Sequence, residues 1–242
     1  MSFCKYFIAI LLCTNLQLAI AKNNYYHTAH SVYVLTDSTS AARLSLQQDE
    51  YTAAHTPFDL AIRLDKETNI TEQDYLNASA KNVSNWTTEE QNQITKSLQA
   101  IEAYLSKEHI KLHLPDTIIF IKTNAKEEFG AEGWTRRNRI MLNTGAQPIG
   151  THLVAHELFH VLSRNDKKTR DAVYGIFNFK PCNNIDYKSA MHDKVITNPD
   201  CPFLQHYTTV SINGQKQDVA LMLYSKIDYH KGFEMSNYAS VG

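Results

Sequence analysis

The chain has 242 residues, a formal net charge of −1, 43% hydrophobic residues, eight glycines and six prolines. That balance excludes a strongly basic nucleic-acid binder and a polar disordered chain, and it supplies enough apolar material for one substantial core or two small lobes. No internal repeat or low-complexity segment interrupts it.

Taken in order, Met1 to Ala21 reads as a secretory signal peptide. Lys5 gives the positive n-region, Tyr6 to Cys13 (YFIAILLC) the apolar core, and Ala19-Ile20-Ala21 a small-x-small cleavage site. The apolar run falls short of the ~20 residues a spanning helix needs, and no later stretch is long and apolar enough to cross a bilayer. The mature chain, from Lys22, is therefore expected to be secreted or periplasmic. Cys4 and Cys13 leave with the signal peptide, and Cys182 and Cys201 remain. A single pair in an oxidising compartment is most simply a disulfide, contributing about 3 kcal/mol.

Ser31 to Thr36 (SVYVLT) predicts a strand and Asp37 to Ser40 a turn. Phe58 to Leu64 (FDLAIRL) alternates apolar and polar residues, which predicts another strand. Thr71 with Asp74 carries a capping-box signature for a short helix. Thr88 with Gln91 carries one for a longer helix to about Lys107, whose Ile94, Leu98, Ile101 and Leu105 recur at core-packing spacing. Sequons at Asn69, Asn77, Asn82 and Asn85 mark this region as exposed. Thr117 to Lys122 (TIIFIK) suits a buried strand. Asn124 to Gly133 is a polar loop, and Trp134 to Asn143 (WTRRNRIMLN) reads as a strand exposed on at least one face.

Next comes Leu153 to Arg164 (LVAHELFHVLSR), with Thr151 placed as its N-cap after Pro148 and Gly150. On a helix, His152, His156, Glu157, His160, Ser163 and Arg164 share one arc, while Val154, Ala155, Leu158, Phe159, Val161 and Leu162 fill the opposite side. His156 and His160 stand one turn apart, so both imidazoles can reach a single metal ion, with the Glu157 carboxylate beside them. Beyond this helix, Thr169 to Phe177 predicts a short helix. His206 to Ile212, the Asn213-Gly214 turn and Gln215 to Leu223 predict a hairpin.

The HExxH motif, His156-Glu157-Leu158-Phe159-His160, in an order of long helix, strand, strand and motif helix, resembles the N-terminal lobe of the zincin metallopeptidases across residues 88 to 166. The resemblance implies an α+β fold: a zincin-like lobe with a small mixed sheet, a backing helix and an active-site helix, then a loop-rich C-terminal part with a β-hairpin. The implied organisation is a signal peptide over 1–21, an N-terminal segment over 22–86, a catalytic lobe over 87–166 and a C-terminal segment over 167–242. His156 and His160 become ligands of Zn2+, Glu157 the general base, and residues 134 to 143 an edge strand that pairs with an extended peptide or protein substrate.

Catalytic zinc normally takes three protein ligands. In the metzincin pattern the third falls at Asp166, with Ser163 where that group has glycine and Met191 standing for its methionine turn. In the gluzincin pattern it is a later glutamate, and only Glu234 follows Glu157. A chain truncated before its ligand-bearing helix is the third alternative. His206 and Tyr207 are of the types that stabilise an oxyanion, or else surface residues at a strand start. Two functions follow: a secreted zinc metallopeptidase, or an exported zincin-like protein that binds metal or a partner without turnover.

Overall fold

The computed structural model describes residues 24–67, 69–145, 147–186, 194–232, 234 and 239–241. The expected signal peptide and Met191 lie outside them. The fold is α+β. β1 (Asn24–His27) and β2 (Val32–Leu35) form a hairpin that leads into α1 (Ser38–Ser45), α2 (Pro57–Leu64) and α3 (Glu72–Asn82). A two-residue β3 (Val83–Ser84), α4 (Thr88–Lys107) and β4 (Thr117–Thr123) follow, then the hairpin of β5 (Gly133–Arg136) and β6 (Arg139–Asn143), and α5 (Thr151–Asn165). The sheet runs β1-β2-β4-β6-β5, with β3 also paired to β4. β2, β4 and β6 are parallel, while β1 and β5 are antiparallel edges.

Alternation along β4 and β6 fixes the two faces. Ile118, Phe120, Ile140 and Leu142 pack with Ile94 and Leu98 of α4 and with Val154, Leu158, Val161 and Leu162 of α5. Ile121 and Met141 pack with Trp134 and Ala41 on the opposite face. The motif helix is thus pressed against the sheet, and strands from both sides of residue 86 share that core.

Five local expectations are corrected. Phe58–Leu64 is helix α2: the Thr56 side chain caps it by accepting from Asp59 N, and Pro57 occupies its first turn. Asp59 and Arg63, four residues apart, are both buried and paired at 3.5 Å, which produced the false period of two. Asp37 to Ser40 is the start of α1, with the Asp37 carboxylate accepting from Thr39 N and Ser40 N. The segment 134–143 is two strands joined at Arg137, whose φ is 52°, and residues 134–136 and 139–142 are all buried. Arg136 and Arg139 tolerate burial because the Asp49 carboxylate accepts from both, at 2.8 and 3.0 Å. The capping box of α4 is Thr87 with Glu90, one residue earlier than expected, and Gly150 holds the cap position of α5.

Past α5 the chain forms α6 (Lys167–Ile176), β7 (Lys180–Pro181), the hairpin of β8 (His206–Ile212) and β9 (Gln215–Val219), and the paired β10 (Leu223–Ser225) and β11 (Ala239–Val241). Cys182 and Cys201 carry free thiols. The Cys201 thiol donates to Phe203 O, and the Cys182 main chain pairs with Gln205. No described helix is long and apolar enough to cross a membrane.

Candidate metal centre

α5 brings His156 and His160 together as their spacing predicts. Their Nε2 atoms stand 3.0 Å apart with the rings edge to face. Two nitrogens bound to one zinc at about 2.0–2.1 Å lie about 3.3 Å apart in tetrahedral geometry, so this pair fits a zinc ion with little adjustment. Burial, with His156 alongside, holds His160 below the ordinary histidine value and favours the neutral imidazole that ligates metals. His152 sits one further turn back, its ring centroid 6.5 Å from that of His156.

Glu157 differs from the helical-wheel expectation. It is 2% exposed, turned toward β5 and away from the open stripe. Its carboxyl lies against the backbone of Gly133, close enough that a Cβ there would stand 2.7 Å from Oε1. Oε2 is buried without a hydrogen-bond partner, and burial, reinforced by the Asp200 carboxylate, pushes the pKa up to about 8. An ionised buried carboxyl without a partner is costly unless a cation or a proton-bearing group faces it.

Arg164, one turn beyond His160, ties the helix to its surroundings. Its Nη2 donates to Thr135 Oγ1 at 2.6 Å, Thr135 O at 3.2 Å, Pro199 O at 3.0 Å and Asp200 O at 3.2 Å. Gly133, Thr135 and Asp200 escaped the sequence reading. Asp200 lies 65 residues from Thr135, and no local pattern links them.

Neither suggested third ligand joins the pair. Asp166 caps α6, accepting from Thr169 N at 3.1 Å and Thr169 Oγ1 at 2.7 Å, and contacts His113 Nδ1 at 2.9 Å. The Thr169 and His113 contacts hold its carboxyl well below the usual range. Glu234 is exposed. Among the described residues, no group of three or more His, Cys, Asp or Glu side chains is placed to hold a metal. His206 Nε2 is engaged by Asp171 at 2.9 Å and its ring by Tyr174, while the Tyr207 ring faces Lys180.

Compared with known proteins, residues 121–168 match the eCIS core domain family. These residues run from within β4 through the β5–β6 hairpin and α5 into the start of α6. No curated protein and no solved structure matches the chain.

Proposed function

We propose that this chain is an exported zinc-dependent hydrolase of peptide bonds, with His156 and His160 holding the metal and Glu157 moving the proton. The carrying observation is the pair of Nε2 atoms 3.0 Å apart, on the same helix as a buried carboxyl whose Oε2 has no partner. The family match supports the reading in so far as it spans the strands and helix that build this arrangement.

Zinc, when bound, supplies a Lewis acid that lowers the pKa of a water to about 7. The protein's own part is proton handling. Burial keeps a proton on Glu157 at neutral pH, and the charge of a bound zinc would favour its ionised form. Oε2, free of other partners, would then accept the proton of the attacking water and return it to the leaving amine. Burial keeps competing water from that carboxyl, and Gly133 lets it sit against β5.

Zinc measured in purified protein tests the ligands. His156→Ala and His160→Ala are expected to lose it, and retention at parent levels by both refutes the site. Glu157→Gln is expected to keep zinc and lose about 10²–10⁴-fold in peptide hydrolysis. Unchanged turnover removes its role.

A second reading, metal or partner binding without turnover, is favoured by one specific observation: no third donor stands with the imidazoles among the described residues. Chelator-sensitive cleavage of an unstructured protein would eliminate it.

A further inference from the structure

Pairing in the β5–β6 hairpin joins Trp134 to Met141 and Arg136 to Arg139 around a two-residue loop. In an antiparallel ladder of this register, Trp134 and Arg136 turn their main-chain groups toward β6, and Gly133 and Thr135 turn theirs outward. β5 is the end strand of the sheet, so this outward side is where an extended peptide would add. At Thr135 both outward groups are taken. Its N–H donates to Asp200 Oδ1 at 2.8 Å, its hydroxyl to the same oxygen at 2.6 Å, and its C=O accepts from Arg164. Arg164 also grips Pro199 O and Asp200 O, fixing that segment along the edge.

The same segment is anchored firmly just upstream. Thr197 N and Oγ1 donate to the buried Asp59 carboxylate at 3.0 and 2.5 Å, and Thr197 O accepts from Arg63 at 2.6 Å. Between this anchor and the sheet lies a cavity of about 180 Å³, lined by Gly133, Trp134, Ile196, Asn198 and Pro199 among others. The segment is thus held at two separate places, by Asp59 and Arg63 at residue 197 and by Thr135 and Arg164 at residue 200.

We propose that residues 198–201 form an autoinhibitory strap, competing with an extended peptide for the outer edge of β5; this rests on the peptide-hydrolase reading above. A peptide strand needs the Thr135 N–H, and it reaches that group only while Asp200 is away. Its apparent affinity is therefore reduced by the fraction of molecules with the strap released.

The test uses the full chain carrying Glu157→Gln, so that nothing is cleaved, and fluorescein-labelled casein as an unstructured probe. Asp200→Ala in that background is expected to bind casein about tenfold more tightly. Asp200→Asn, which keeps an oxygen for the Thr135 N–H, is expected to stay near the parent. Amide exchange at Thr135 is expected to be slow in the parent, fast in Asp200→Ala and slow again once casein is added. If Asp200→Ala does not fold, Arg164→Met loosens the strap from its other side and is expected to move both readouts the same way. Casein affinity unchanged on releasing the strap, or a Thr135 amide that casein does not protect, overturns the proposal. Zinc content of the same preparations reports separately on the hydrolase reading. Loss of that reading leaves casein competition standing, and loss of competition leaves zinc binding and hydrolysis standing.

Discussion

The position of Glu157 depends on a missing side chain. Residue 133 is glycine, and a Cβ there would stand 2.7 Å from Glu157 Oε1 and 3.0 Å from Cδ. Contacts that short force something to move, and the carboxyl, at the end of a flexible side chain, moves more easily than a sheet strand. Gly133→Ala is therefore expected to swing Glu157 away from its place against β5. Displacing a catalytic group by about 1 Å costs about 10²-fold in rate. The three atoms nearest a Cβ at residue 133 all belong to Glu157, so zinc affinity is expected to stay within about twofold of the parent, since two imidazoles a turn apart on an intact helix still converge. Peptide hydrolysis and zinc affinity measured on one preparation separate these effects. Parent-like turnover in Gly133→Ala would show that the β5 backbone does not set the carboxyl's position.

Helix α4 is held to the sheet by one carboxylate with two duties. Glu90 closes the capping box by accepting from Thr87 N at 2.7 Å, and it pairs with Lys122 of β4 at 2.7 Å. Partial burial pushes its carboxyl up, but Lys122, Thr144 and Thr87 together bring it down to about 2. The folded value lies below the unfolded one of about 4.3, so this stabilisation is complete above pH 4.3 and is lost as pH falls toward 2. Glu90→Gln is expected to cost about 1–2 kcal/mol at pH 7, allowing for solvent screening, and almost nothing near pH 2. Urea midpoints across that window check this, and a deficit that persists at pH 2 would place the effect in packing. This capping box also shows where the sequence was legible. Thr71 with Asp74 was read at its true position, the α4 box was read one residue late, and β4 and the HExxH helix followed from β-branched and 3.6-residue patterns. Three of the failures share one physical cause, which is buried charge. Asp59 with Arg63 disguised a helix as a strand, Arg136 and Arg139 made a buried hairpin look exposed, and Glu127 and Glu128 sit buried in what read as a polar loop. Their partners are 64 to 90 residues away in several cases, beyond any local pattern.

At the scale of the molecule, burial is uneven. A continuous core runs from β2 through α5, whereas past Asn165 only Val195, Ile196, Thr197 and Ser225 are buried among the described residues. The C-terminal part is thus fastened to the core region chiefly through the Asp59–Arg63–Glu128 cluster and Thr197, with Ile196 packed on Phe58 and Ile62 beside it. Such an attachment should open below the free energy of global unfolding. Thr197→Val keeps the side-chain volume and the main-chain bonds but removes the hydroxyl that reaches Asp59 Oδ2. A buried carboxylate deprived of one donor costs about 1–3 kcal/mol. Because the hydroxyl serves attachment and not the sheet core, the loss is expected to appear as faster amide exchange over residues 195–201 and β10. Exchange in β4 and β6 should remain near the parent rate. If β4 and β6 accelerate in step with residues 195–201, the two regions unfold as one unit, and the strap then has no freedom to leave β5 on its own.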